Sequence, residues 1–269
     1  MNIHFTDNLL KSQLDSATLC QIEFGSTLYG LNTKKSDTDI LCIYAQSINN
    51  CQSILSYEHT LQYVGEENID YIYVSLSQFV KSLIKGDCTT YFEVLHTAEF
   101  KQHFEKLYTI KQYFYHNKIM DAYLGLAKRD LRLAKKEHVL FGSKKKKLSH
   151  TLRGLYSFDM LIQQQYVNKF NIEQWQHLYN LKYTDYVNES NYLAIETEIQ
   201  KELDNRMSIA KSVLSQYVLT VSQLLEINAI TKSYLNSEYY LSKLTEIDSD
   251  AFFAIAMIDG INYKERELI

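Results

Sequence analysis

The sequence predicts an α+β protein, a small mixed sheet with helices packed on it, followed by an α-helical domain. Strand-like alternation is confined to the first third of the chain, and helical periodicity dominates beyond about residue 115. A chain of 269 residues accommodates one large or two modest domains. The change of character divides it into residues 1–115 and 116–269.

The elements follow in order. Residues 8–17 read as a first helix, and Cys20 to Phe24 as a strand ending at Gly25. A second strand is expected over Asp37 to Ala45, where Ile40, Leu41, Cys42, Ile43 and Tyr44 form a β-prone run. Thr60 to Val64 and Ile69 to Val74 flank a loop at 65–68 and read as a hairpin. Ser75 with Gln78 three residues on is an N-terminal capping signature, and Leu76, Phe79, Val80, Leu83 and Ile84 keep helical spacing until Gly86. Thr90 with Glu93 repeats the signature. Further helices are expected at about 118–138, 148–167, 172–181, 192–205, 208–225 and 250–265.

Composition removes several function classes. The chain is 46% hydrophobic and 22% charged, the balance of an ordinary globular protein rather than a disordered one. No apolar run reaches the roughly 18 to 20 residues needed to cross a bilayer. The first residues lack a basic segment followed by an apolar one, so a cytoplasmic location without membrane attachment is expected. Cys20, Cys42, Cys51 and Cys88 have no CxxC spacing and are expected to be reduced. A net charge of -4 gives no global attraction to nucleic acid, so any affinity for polyanions must be local.

The residues suited to chemistry lie in the first third. Gly25-Ser26 follows a strand, and Gly30 keeps the turn permissive, so backbone N–H groups there can face a phosphate. Asp37 and Asp39 are separated by one residue in a predicted strand, which puts both carboxylates on one face. Like charges so placed repel unless cations neutralise them, and hard oxygen ligands suit Mg²⁺ or Mn²⁺. Asp70 lies in a second β-like run, so three carboxylates are expected to converge, the equipment of a two-metal phosphoryl-transfer site.

Gly25-Ser26-Thr27-Leu28-Tyr29-Gly30, Ser36-Asp37-Thr38-Asp39 and Ile69-Asp70-Tyr71 resemble the G-S, D-x-D and h-D-h elements of the DNA polymerase β nucleotidyltransferase superfamily. The stretch from Leu76 through Gly86-Asp87 to Leu95, and Lys147-x-x-His150-x-x-Arg153, are similar to the RNA-repair-pathway polymerase β family. The resemblance implies the polymerase β-type nucleotidyltransferase fold for residues 1–115, with a nucleoside triphosphate as substrate. It implies that Ser26 contacts the triphosphate, that Asp37 and Asp39 bind both Mg²⁺ ions, and that Asp70 binds the ion activating the acceptor hydroxyl. Asp87 departs from the family, which has Asn followed by Pro there; this chain has no Pro, so the local loop must differ.

Between Lys128 and Arg153 lie ten Lys or Arg residues against Asp130 and Glu137. Lys128, Arg132, Lys135 and Lys136 share one helical face and make a candidate nucleic-acid surface; the competing reading is a solvated helix face followed by a lysine loop. His150 and Arg153, together with Lys147 or Lys146, are candidates for a substrate phosphate. The expected reaction is attack of an acceptor hydroxyl on the α-phosphate with release of pyrophosphate. The favoured acceptor is an RNA 3′ end such as that of a tRNA, because the basic segment suits a long polyanion. AMP transfer to a protein or small molecule, as in toxin–antitoxin or antibiotic-modifying enzymes, and a non-catalytic nucleotide- or RNA-binding module remain open. Gly142-Ser143-Lys144 lacks P-loop spacing, and neither HExxH nor GxSxG is present.

Overall fold

The computed structural model describes residues 2–33, 36–46, 60–64, 69–165 and 170–243. Its sheet has the strand order β1-β4-β5-β3-β2, with β1 Asn2–Phe5, β2 Thr18–Phe24, β3 Thr38–Tyr44, β4 Thr60–Val64 and β5 Ile69–Ser75. The β1–β4 and β3–β5 pairs are parallel, and β2–β3 and β4–β5 are antiparallel. The expected hairpin is present as the β4–β5 pair; its loop, like Cys51 and the helix expected at 250–265, lies outside the described residues. β1 was not expected. Its pairing partner β4 is more than fifty residues away, and so short a segment carries no periodicity of its own.

Alternation along the central strands sorts the core into two layers. Cys42, Tyr44 and Tyr73 face α1 (Asn8–Ala17), which contributes Leu10, Leu14 and Ala17 to that cluster. Leu41, Ile43 and Val74 face the other way, into a larger cluster that includes residues from both sides of position 115. The sheet is therefore covered on both faces, as its apolar strand centres require.

After the sheet come α2 (Leu76–Lys85), α3 (Thr89–Val94), α4 (Ala98–His103) and α5 (Glu105–Thr109). Ser75 caps α2 as expected, its Oγ accepting from Gln78 N at 3.2 Å. Gly86 closes the helix at φ 64°, and Asp87 N–H donates back to Ser82 O at 3.3 Å, so this loop is made without proline. The expected cap at Thr90 is a correction: α3 begins at Thr89 after an uncapped Cys88, and Glu93 turns inward, 2% exposed, to accept from Tyr123 Oη at 3.0 Å.

The helical region comprises α6 (Asn117–Ala134), α7 (Phe141–Ile162), α8 (Ile172–Tyr183), α9 (Tyr192–Val213), α10 (Val221–Leu235) and α11 (Glu238–Ser242). Several boundaries differ from expectation. α6 stops at Ala134, its last buried position, and α7 starts before the lysine run, so Lys144 to Lys147 are helical rather than a loop. α9 continues through residue 206, where Arg206 pairs with Asp159 and Glu202. The helix expected to end at 225 instead begins at Val221, set by a capping box between Thr220 and Gln223. Among the described residues, no helix is long and apolar enough to cross a membrane.

Candidate active site

A cleft of about 160 Å³ opens where the ends of β2 and β3 meet α7 and α8. Gly25, Ser26, Tyr29, Leu31 and Asp39 line one side, and Lys146, Ser149, His150, Arg153 and Lys182 the other.

The first wall follows from strand register. Phe24 is opposite Asp39 across β2–β3, and Asp39 is opposite Asp70 across β3–β5. Matched positions on neighbouring strands present side chains to the same face. Asp39 shares parity with Leu41 and Ile43, and Asp70 with Val74, all in the core beneath the helices. Both carboxylates thus sit on the helix-covered face, at the strand ends where the apolar cover gives out. Asp37 stands one residue before β3 and is exposed. Among the described residues, no group of three His, Cys, Asp or Glu side chains is close enough to hold an ion. Even so, Asp39 senses its neighbours: burial, then Asp70, then Asp37, raise its proton affinity against the opposing pull of Lys146. An all-oxygen set carrying unneutralised like charge is the donor chemistry that fits a hard divalent cation.

Gly25 begins a five-residue 3-10 turn, Gly25–Tyr29, at φ 68°. A Cβ there would lie 2.5 Å from Asp39 Oδ2, so glycine is required both by the backbone and by the carboxylate beside it. The far end of the turn is tied to α8: Trp175 Nε1 donates to Gly30 O at 3.2 Å, and Lys182 Nζ (3.4 Å) and Tyr183 Oη donate to Leu31 O.

The second wall comes from one face of α7. Lys146, Ser149, His150 and Arg153 have i, i+3, i+4, i+7 spacing and point the same way. The Arg153 guanidinium lies 4.5 Å from the Tyr29 ring centroid. Burial opposes its charge, but Tyr29 and then Glu93 and Tyr123 hold it firmly protonated. The four consecutive lysines diverge as a helix dictates. Lys144 sits over the Tyr192 ring, Lys145 Nζ donates to Thr184 O at 2.6 Å, Lys146 lines the cleft, and Lys147 Nζ is 3.2 Å from Asp130 Oδ1.

Of the residues singled out from sequence, the cleft brings together Gly25, Ser26, Asp39, His150 and Arg153. Asp70 adjoins them through register. Lys147 turns away to Asp130, while Lys128, Arg132, Lys135 and Lys136 are exposed on and just beyond α6 and do not line the cleft. Lys135 Nζ donates to Gln200 Oε1 at 2.7 Å. Lys146, the alternative to Lys147 in the sequence reading, lines the cleft. Sequence reasoning missed Tyr29, Leu31, Ser149 and Lys182; the α7 spacing carried a signal for Ser149.

No curated protein and no solved structure matches this chain. The RNA repair pathway DNA polymerase beta family does, over residues 7–215, a stretch that takes in the whole cleft. That match covers well over half of the sequence and agrees with a mixed five-stranded sheet followed by a long helical region. The chain therefore belongs to the RNA repair pathway DNA polymerase beta family, within the polymerase β-type nucleotidyltransferases, and its class of reaction is nucleotidyl transfer.

Proposed function

We propose that the protein transfers a nucleoside monophosphate from a nucleoside triphosphate to the 3′ hydroxyl of an RNA, such as a tRNA, releasing pyrophosphate. The observation that supports this most is the pairing of walls: Gly25, Ser26 and Asp39 face Lys146, His150, Arg153 and Lys182 across one cleft. In this reading Asp37, Asp39 and Asp70 hold Mg²⁺ or Mn²⁺. Those ions supply activation of the attacking hydroxyl and neutralisation of the triphosphate. Asp39 already feels the charge of Asp70 and Asp37, and neutralising that shared charge favours a cation beside it.

The chain's own residues do the rest by position and charge. Gly25 leaves room for the triphosphate beside Asp39, and Ser26 offers a hydroxyl to it. Lys146, Lys182 and Arg153 offset its negative charge from the opposite side, and Arg153 does so from a fixed place over Tyr29. The oxygen of the acceptor attacks the α-phosphorus, the bond to the bridging oxygen breaks, and pyrophosphate leaves. Lys128, Arg132, Lys135 and Lys136 serve as phosphate contacts for the RNA outside the cleft.

The test is incubation of purified protein with Mg²⁺ and each α-labelled nucleoside triphosphate, together with tRNA or with protein acceptors. Label in RNA, lost on chelation and in Asp39→Asn, is the expected result. Label confined to protein would defeat the RNA acceptor, and no transfer to any acceptor would defeat the enzymatic reading.

A further inference from the structure

Asp130 is 1% exposed about one turn before the end of α6, on a helix whose other charges face solvent. A buried carboxylate is costly unless paired, and this one is paired unevenly. Its Oδ1 accepts from Arg129 Nε and Nη2, each at 3.3 Å, and from Lys147 Nζ at 3.2 Å. Its Oδ2 faces His150 Nδ1 at 3.5 Å. Burial pushes His150 down to about 4 despite Asp130, with Arg153 and Lys147 adding to the depression, so near pH 7 the ring is neutral and carries one proton. A carboxylate oxygen beside Nδ1 draws that proton there. Nε2 is then left as an acceptor.

The rest of the helix wall makes an acceptor valuable. Lys146, Lys182 and Arg153 are pure donors. Ser149 Oγ already donates to Leu178 O at 3.0 Å. With Ser149 Oγ buried and turned to Leu178, Nε2 of His150 is an acceptor that the helix wall offers to a ligand hydroxyl.

We propose that Asp130 is a positioning residue that fixes His150 as a hydrogen-bond acceptor for a ribose hydroxyl of the nucleoside triphosphate, so that the cleft selects ribonucleotides carrying that hydroxyl. This rests on the nucleotidyltransferase reading and deepens it. Asp130→Asn is an informative substitution because the partners differ at the two oxygens. The amide oxygen remains where Arg129 and Lys147 donate, which turns the NH₂ toward His150 Nδ1. The imidazole proton must then move to Nε2, and the acceptor becomes a donor.

Two measurements on the full chain test this. Nitrogen-15 NMR of the histidine rings, with His150 assigned by its loss in His150→Gln, is expected to give a protonated Nδ1 in the wild type and a protonated Nε2 in Asp130→Asn. Equilibrium dialysis with ATP, 2′-deoxy-ATP and 3′-deoxy-ATP in Mg²⁺ is expected to show one deoxy analogue bound about tenfold more weakly than ATP, as loss of a hydrogen bond to a buried acceptor predicts. That ratio is expected to collapse toward one in His150→Leu, which offers the hydroxyl neither donor nor acceptor. A wild-type His150 protonated on Nε2 overturns the proposal, as does equal affinity of the wild type for all three nucleotides, which needs no variant. A His150 still protonated on Nδ1 in a folded Asp130→Asn, or an unchanged ratio in a folded His150→Leu, also overturns it. Failure of wild type to bind any of the three, and likewise the GTP, CTP and UTP series, sinks the nucleotidyltransferase reading and the ribose contact with it, while the wild-type tautomer still decides the role of Asp130.

Discussion

The two walls of the cleft are built on opposite principles. On the sheet side, Asp39 lies near Asp70 and Asp37, and burial, followed by their like charges, raises its proton affinity. On the helix side two of the charged groups have been given company within the fold: Arg153 on Tyr29 and Lys182 on Leu31 O. The contrast separates preparation from demand. The helix wall is preorganised before a ligand arrives, whereas the sheet wall is left wanting positive charge, which an incoming cation supplies.

Four experiments bear on that division, beginning with the largest effect. Gly25→Ala is expected to cut nucleotidyl transfer by about a thousandfold, because the new Cβ must displace Asp39 Oδ2 and adopt a left-handed backbone. Transfer assays beside thermal melts check it, and activity near wild type would mean that the sheet wall is not at the reaction centre.

Acidification attacks the helix wall first. In the folded protein His150 and His96 are both held down to about 4, while their unfolded forms protonate near the ordinary imidazole value. Between about pH 6.5 and 4 the unfolded chain binds more protons, so stability falls as pH falls, by up to about 3 kcal/mol for each histidine. Asp130, held at about 2 by His150, Lys147 and Arg129 against its burial, adds a further loss at still lower pH. Urea midpoints at pH 7 and 4.5 measure the first window, and His150→Gln is expected to flatten part of the slope.

Arg153→Lys keeps the charge but loses the planar group over Tyr29, and is expected to raise KM for the nucleotide about tenfold. An unchanged KM would assign the guanidinium to the core alone. The smallest effect is expected for Lys128→Gln or Lys136→Gln. Each should weaken RNA binding a few-fold and lower the salt slope by about 1, leaving nucleotide KM unaltered. A change in nucleotide KM would join that helix face to the cleft after all.

The sheet wall was readable from sequence because its pieces are local. A strand that runs into Gly25-Ser26, an alternating strand with Asp39, and Asp70 in its neighbour need short-range periodicity and one act of pairing. The helix wall was only half readable. His150 and Arg153 are legible, but the sequence leaves Lys147 and Lys146 as alternatives, and on a helix that single step swings a side chain by about 100°, from the cleft to Asp130. Asp130 itself looked like one acid among many cations; only the docking of α7 on α6 reveals that it is buried. Lys182 and Leu31 meet through α8, about 150 residues along the chain, a distance over which no pattern in the sequence reports.

The attachment of α8 to the glycine turn has a temporal consequence. Gly30 and Leu31 leave the ribosome about 150 residues ahead of the donors that restrain them, Trp175, Lys182 and Tyr183. Throughout that interval the sheet can form while its nucleotide-facing edge stays unclamped. A nascent or truncated chain ending before α8 would therefore own the motif without the grip, and competence would wait until the third of those donors is in place.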